Sequence, residues 1–234
     1  MIRTRLLIKL FGLCALVFAM MGVTSSAQGA TWLVLEGLNI VESGEVTAEV
    51  DTTPILHSKI SGTEFLVECS SIAAVGVNLA AGGNTAKGGK IKFSSCKVKL
   101  NGSVSAPCEP ISGGTEKGVI VTKPLHAFLY LHSLGAGGND ELIEVVPDEG
   151  ETYLTLEMGK ECSVGTKIPV IGLLYWKDCE NALLIHKEKH LFEEGPLTEL
   201  FVISKTAEHK ATLLGSWWVK VRLGGVFRSF AGHV

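Results

Sequence analysis

The sequence lacks any long helical pattern in which apolar residues recur every three or four positions. In place of such a pattern it has many short apolar runs separated by turns, and glycine is frequent, with 27 residues. These features exclude a mainly helical protein and predict an all-β fold. A β-sandwich or a barrel-like sheet is the architecture that buries so many half-apolar strands.

After residue 27 the sequence also lacks any apolar run close to the roughly 18 residues that a transmembrane helix needs. It has no excess of basic residues either, because 21 Lys and Arg stand against 24 Asp and Glu. A basic surface is the feature that attracts nucleic acid or an anionic membrane. We therefore expect no nucleic-acid partner, and no transmembrane segment once the first 27 residues are removed.

Complete catalytic motifs are missing as well, which makes a non-enzymatic protein the stronger hypothesis. No serine lies in a Gly-x-Ser-x-Gly turn. His186 and His190 have the spacing of a helical zinc motif, but the glutamate between them is not at the position that activates metal-bound water. We expect surface histidines with no metal and no cofactor, and a zinc site of His186, His190 and His209 is the alternative.

The first 27 residues have the pattern of a secretory signal peptide. Three basic residues (Arg3, Arg5 and Lys9) precede an uncharged apolar stretch at 10–23, and small residues at 25–27 suit cleavage after residue 27. We expect a secreted or otherwise extracytoplasmic protein. An uncleaved membrane anchor at the N-terminus is the alternative.

Among the features that are present, a two-fold internal repeat is the most informative about structure. A Glu-Cys-Ser tripeptide at residues 68–70 precedes a segment at 89–96 that begins with glycine and ends with cysteine seven positions later. The same order returns at residues 161–163 and 172–179. Both segments between glycine and cysteine contain a strand-like apolar run.

The repeat predicts how the exported chain is organised. We expect residues 28–234 to form a single all-β unit. Two related β halves, at about residues 28–110 and 111–234, would make up this unit and pack against each other.

The cysteines are expected to form disulfides, because an exported chain meets oxidising conditions. Placing them at equivalent points of the repeat favours the pairs Cys69–Cys96 and Cys162–Cys179. Cys108 is then left as a possible free thiol, which could act as a nucleophile or as a link to a second chain.

A rival disulfide pairing follows from the Asn101-Gly102 sequence, which is typical of a tight hairpin turn. Counting residue pairs back from that turn brings Cys96 opposite Pro107, next to Cys108. A Cys96–Cys108 bridge would leave Cys69 unpaired.

A change in the phase of alternation indicates an irregularity in the strand that carries Cys96. Apolar residues are odd-numbered before Ser95 (Ile91 and Phe93) and even-numbered after it (Val98). A bulge or bend at this point would turn Cys96 toward the core.

Four tryptophans are candidates for ligand contact. Trp217 and Trp218 are neighbours, so in a strand they point to opposite faces and one of them is expected outside the core. An exposed tryptophan on a sheet can stack on a sugar ring. The alternative is that all four, including Trp32 and Trp176, fill the core.

Several segments resemble a family of uncharacterised exported bacterial β-rich proteins with no established activity. The resemblance extends over most of the chain after residue 27 and implies a single exported unit in two parts. It carries no functional residues to this sequence. The segments that carry the resemblance are residues 96–102, 107–110, 161–162, 190–198, 202–204 and 206–212.

Taken together, these features favour a non-catalytic secreted or envelope-associated protein with a structural or binding role. Its ligand would be an unknown extracellular or cell-surface molecule. A secreted hydrolase, possibly metal-dependent, is the main alternative. An inhibitor or toxin-like partner of another exported protein is a further one.

Overall fold

The computed structural model describes residues 31–36, 39–40, 43–80, 85–111, 116–133, 139–178, 187–192, 197–205 and 207–233. Within these ranges the protein is all-β, as the sequence predicts, apart from one short 3₁₀ turn at Ala106–Cys108. No helix among the described residues is long and apolar enough to cross a membrane. The predicted signal peptide lies outside these ranges and stays a prediction.

The strands range from 2 to 18 residues in length, and every pairing between them is antiparallel. In chain order they are β1 (Thr31–Glu36), β2 (Asn39–Ile40), β3 (Ser43–Ile60), β4 (Thr63–Val75), β5 (Asn78–Ala80), β6 (Thr85–Leu100), β7 (Ser103–Val104), β8 (Ile120–Val121), β9 (Leu125–Ser133), β10 (Asn139–Pro147), β11 (Thr152–Glu157), β12 (Lys167–Asp178), β13 (Glu188–Phe192), β14 (Glu199–Ser204), β15 (Ala207–Leu223) and β16 (Val226–His233).

These strands belong to one 16-stranded sheet that closes on itself. Going round the ring, the neighbours are β15, β13, β12, β10, β9, β6, β4 and β3, and β3 pairs again with β15. At one end of the ring β14, and not β13, lies between β12 and β15. Strands β1, β2 and β16 extend the sheet outside the ring. The protein is therefore a barrel-like ring of strands that is not closed evenly.

The ring is closed by a long seam between an early strand and a late one. The β3–β15 pairing runs from Ser58 opposite Ala211 to Glu45 opposite Arg222. It contains an irregularity beside Gly215, whose φ of +122° is a backbone conformation that favours glycine. The seam joins one predicted half of the chain to the other, so the two halves share one core. Whether they are structurally related stays a prediction.

The phase change in β6 is confirmed. Ile91, Phe93, Cys96 and Val98 are all buried, and Ser95 between the two sets is exposed with a φ of +53°. This local left-handed residue shifts the alternation by one position and turns Cys96 inward. A single non-glycine residue with positive φ thus keeps both parts of a long strand facing the same core.

The predicted hairpin turn is also confirmed. Asn101 and Gly102 both have positive φ, at +48° and +81°, which is the backbone of a type I′ turn. The turn sets Leu100 opposite Ser103 and Lys99 opposite Val104, the two residues of β7. The rival Cys96–Cys108 pairing does not follow from this hairpin, because β7 ends at Val104 and the chain then enters the 3₁₀ turn.

One disulfide is the one that the repeat predicts. Cys69 on β4 lies directly opposite Cys96 on β6, and the two sulfur atoms are bonded. Both side chains are buried in the core. The bridge therefore fastens two neighbouring strands of the ring from the inside.

The second disulfide corrects two predictions. Cys108 is bonded to Cys162, so Cys108 is not a free thiol and Cys162 is not available to Cys179. Both sulfurs are buried where the loop after β7 meets the loop after β11. The same two loops are joined by a hydrogen bond that the Gly159 N–H donates to the Pro107 carbonyl at 3.0 Å. Cys179 itself lies outside the described residues.

The segment that contains His190 is a strand where it is described, although its histidine spacing is that of a helical zinc motif. Residues Glu188–Phe192 form β13, which pairs with β12 on one side and β15 on the other. Strand pairing on both sides overrides the weak helical propensity of so short a segment.

Candidate functional site

Two adjoining apolar cavities are lined by the inner faces of the strands of the ring. Their volumes are about 70 Å³ and about 90 Å³. Ile91, Leu125 and Trp176 line both, so the two cavities share a wall. Close-packed protein interiors have few voids larger than a water molecule, and a single water needs only about 10–15 Å³. Each cavity therefore has room for a small molecule.

The larger cavity exists because small side chains occupy inward positions on four different strands. These residues are Ala48 on β3, Ala74 on β4, Ala86 on β6 and Ala127 on β9. Strand alternation directs each of them to the inside, where larger residues would meet across the ring. The space is thus a property of side-chain size in the wall and not of a gap between strands.

Among the described residues that line either cavity there is no aspartate, glutamate, lysine or arginine. The hydroxyl groups in the wall of the smaller cavity are already engaged. Thr122 Oγ1 accepts a hydrogen bond from the Ile91 N–H at 2.9 Å, and the Tyr153 hydroxyl donates to the Val145 carbonyl at 2.6 Å. Burial raises the pKa of Tyr153, so its hydroxyl stays protonated.

His190 belongs to the wall of the larger cavity and not to the protein surface. It is buried, and its ring stacks on Trp217 with the ring centres 5.9 Å apart. Desolvation by burial lowers the pKa of His190 to about 3. The imidazole is therefore neutral at any pH near neutrality, and the cavity carries no charge from it.

This burial predicts an acid-sensitive component of stability. The folded protein keeps His190 neutral down to about pH 3, whereas the unfolded chain protonates it below about pH 6.5. The unfolded state then binds more protons, so stability is full above about pH 6.5 and falls as pH decreases toward 3, by at most about 1.4 kcal/mol per pH unit. Urea unfolding of His190→Leu between pH 7 and 4 should show this component missing.

The matched control for that experiment is His57→Leu. His57 is on β3 with its side chain 43% exposed, so its replacement removes a histidine and leaves the buried His190, with its acid-sensitive component, in place. If wild type and His190→Leu lose stability in parallel on acidification, His190 is not held neutral in the folded protein.

Aromatic rings crowd around the shared wall. Trp176 packs edge-on against Trp217 with centroids 4.9 Å apart, and Phe192 lies 4.5 Å from the same Trp217 ring. The Trp176 Nε1 atom is buried and has no hydrogen-bond partner among the described residues. It is a donor group placed in an apolar wall.

The zinc hypothesis is not supported by the positions of its histidines. In the register of the sheet His190 lies opposite Trp217, while His209 lies opposite Val202. Eight residues of β15 separate positions 209 and 217, which is roughly 26 Å along a strand. His186 is outside the described residues, and no group of three metal-binding side chains occurs in the part of the chain that is described.

Trp218 has the outward position predicted for one of the two neighbouring tryptophans, while Trp217 is buried. Its Nε1–H donates to Asp51 at 3.1 Å, and the Lys187 ammonium lies 4.0 Å from its ring centre. Asp51 also accepts from Lys189, and that bond is the main reason its pKa is lowered. The Trp218 ring is thus already in contact with a lysine, and its role in stacking on a sugar stays a prediction.

A histidine–carboxylate contact exists elsewhere on the surface but lacks a nucleophile. His126 Nδ1 contacts Asp148 Oδ1, and both side chains are about one-quarter exposed. In the described ranges, no serine, threonine or cysteine side chain is hydrogen-bonded to His126. The pair therefore does not form the base of an assembled acyl-transfer site.

No family model matches this sequence, and neither a curated protein nor a solved structure gives a significant match. The resemblance noted from short segments stays an expectation. The chemistry of the interior is therefore the strongest indication of what the protein does.

Proposed function

We propose that the protein is a non-catalytic, exported binding protein that holds a small apolar ligand inside its ring of strands. The observation that carries this proposal is the pair of adjoining cavities, which no charged side chain of the described ranges lines. Ligand sites are mostly apolar and largely preformed, with few polar groups. In another protein, an engineered apolar cavity of about 150 Å³ stays dry and binds benzene or xenon.

Two further observations support export. The two intramolecular disulfides are typical of proteins that fold under oxidising conditions. The N-terminal segment has the charge, apolar stretch and small residues of a signal peptide. Release into the medium and retention at the envelope are both compatible with these features.

Neighbouring alanines on β4 allow a sharp test of the interior site. Ala74 lines the larger cavity and pairs with Ile91, whereas Ala73 pairs with the exposed Lys92. We expect cyclopentane to stabilise wild type, by about 2.7 kcal/mol at 100 times its Kd. Ala74→Leu should abolish this stabilisation because the leucine side chain occupies the cavity. It should also raise the stability of the unliganded protein by about 0.5–2 kcal/mol, as cavity-filling changes commonly do.

Ala73→Leu is the matched control, since it adds the same three carbon atoms to the adjacent position on the other face of the strand. Thermal unfolding with and without cyclopentane should be unchanged from wild type in this variant. Absence of any cyclopentane effect on wild type, or an equal effect on both leucine variants, would show that the cavities are not a ligand site.

A further inference from the structure

A buried polar group without a partner among the described residues belongs to a tryptophan that both cavities share. Trp176 lines both cavities, and its buried Nε1–H has no acceptor among the described residues. Its neighbours in the sheet, Ile143 on β10 and Phe192 on β13, have apolar side chains. The Trp217 ring packs against it edge-on.

Such a donor is unfavourable unless something accepts its hydrogen bond. Leaving a buried donor unsatisfied costs about 1–3 kcal/mol, and this cost is recovered when an acceptor arrives. The indole N–H only donates and cannot accept, so the missing group must be an acceptor. A tryptophan in an apolar core usually has a partner for this atom.

We propose that the ligand is a small, neutral, mainly apolar molecule with one hydrogen-bond acceptor, such as a ketone, ester or ether oxygen, which binds the Trp176 N–H. This inference rests on the proposed function and adds the chemical class of the ligand. It assigns Trp176 as the residue that selects this class over a plain hydrocarbon of the same size.

The other residues of the wall favour a neutral ligand with one polar atom. The part of the wall that the structure describes has no charged side chain to pair with a ligand charge. An unpaired charge in an apolar interior is strongly unfavourable. The hydroxyl groups of Thr122 and Tyr153 already take part in hydrogen bonds of the wall. His190 is neutral and stacked on Trp217, so it supplies no counter-charge for an anion.

The test compares two probes of nearly equal size, cyclopentane and cyclopentanone, on wild type and on Trp176→Phe. Phenylalanine keeps an aromatic ring in the wall and removes the N–H. We expect the ratio of the cyclopentanone Kd to the cyclopentane Kd to rise about tenfold in Trp176→Phe, since one hydrogen bond contributes about 1–1.5 kcal/mol. The ratio cancels any general effect of the variant on cavity shape.

Trp218→Phe is the control, because it removes an indole N–H that lies outside the ring and is bonded to Asp51. Its Kd ratio should equal that of wild type. A direct readout is the indole ¹H–¹⁵N resonance of Trp176, which should move downfield with cyclopentanone and not with cyclopentane.

The possible outcomes separate the two proposals. If neither probe binds wild type, the interior is not a binding site and the proposed function fails. If cyclopentane binds but the Kd ratio is the same in wild type and Trp176→Phe, the cavity binds ligands without using Trp176, and the acceptor inference is overturned.

Discussion

Replacing Cys108 and Cys162 together by alanine is expected to lower the free energy of unfolding by about 4 kcal/mol. The bridge closes a loop with a sequence separation of 54 residues, and the loss of loop-closure entropy in the unfolded chain gives this magnitude. Both sulfurs are buried, so the variant also loses packing in the core. The total is comparable to the whole stability of many domains, and the double variant should melt far below wild type.

Urea unfolding of the oxidised wild type and of the double variant measures this effect. Cys179→Ser serves as the control, since it should leave the Cys108–Cys162 peptide present in a non-reducing digest. A non-reducing digest of wild type tests the pairing itself. If it contains a Cys162–Cys179 peptide in place of the Cys108–Cys162 peptide, the repeat-based pairing is correct and the Cys108–Cys162 bridge does not form in solution.

Gly172→Ala should have the second largest effect, a loss of about 3 kcal/mol or more. Gly172 lies on β12 where the strand changes partners from β14 to β13, and its φ is +120°. A Cβ atom there would lie 2.0 Å from the Glu199 carbonyl oxygen and 3.1 Å from the Leu200 Cα. Main-chain atoms of a paired strand cannot move aside easily, so overpacking adds to the backbone strain of an L-residue at this φ.

Gly62→Ala separates these two contributions. Gly62 also has a positive φ, +89°, but a Cβ there would meet no atom within 4 Å. It should cost only the conformational strain, about 1 kcal/mol. Equal losses of stability in Gly62→Ala and Gly172→Ala, measured by urea unfolding, would show that close contact with β14 is not what requires glycine at position 172.

Local features of the fold could be predicted from sequence because their causes are local. The Asn101-Gly102 turn follows from residues that adopt positive φ, and the inward turn of Cys96 follows from a change in apolar phase beside Ser95. The Cys69–Cys96 bridge was predicted because the internal repeat places these two cysteines at the ends of one copy.

The remaining features depend on which distant segments meet. The Cys108–Cys162 bridge joins two loops that pack together only in the closed fold, so no repeat in the sequence could predict it. The interior space was missed for the same reason. Ala74 and Ala127 are ordinary small residues in isolation, and a cavity arises only when several such residues face one another across the ring. Burial of His190 depends on β13 being a strand of that ring.

The seam between β3 and β15 has a consequence for the order of events in folding. It pairs residues 45–58 with residues 211–222, so the two sides are separated by most of the chain. Contacts of this kind form slowly, because the chain must lose entropy to bring distant segments together before the contacts between them can stabilise the fold. A chain shortened before residue 207 cannot make the seam at all, and it would present the inner faces of β3 and β4 to solvent. Such truncated chains should aggregate, and the intact protein should acquire its ligand-sized interior only in the last step of folding.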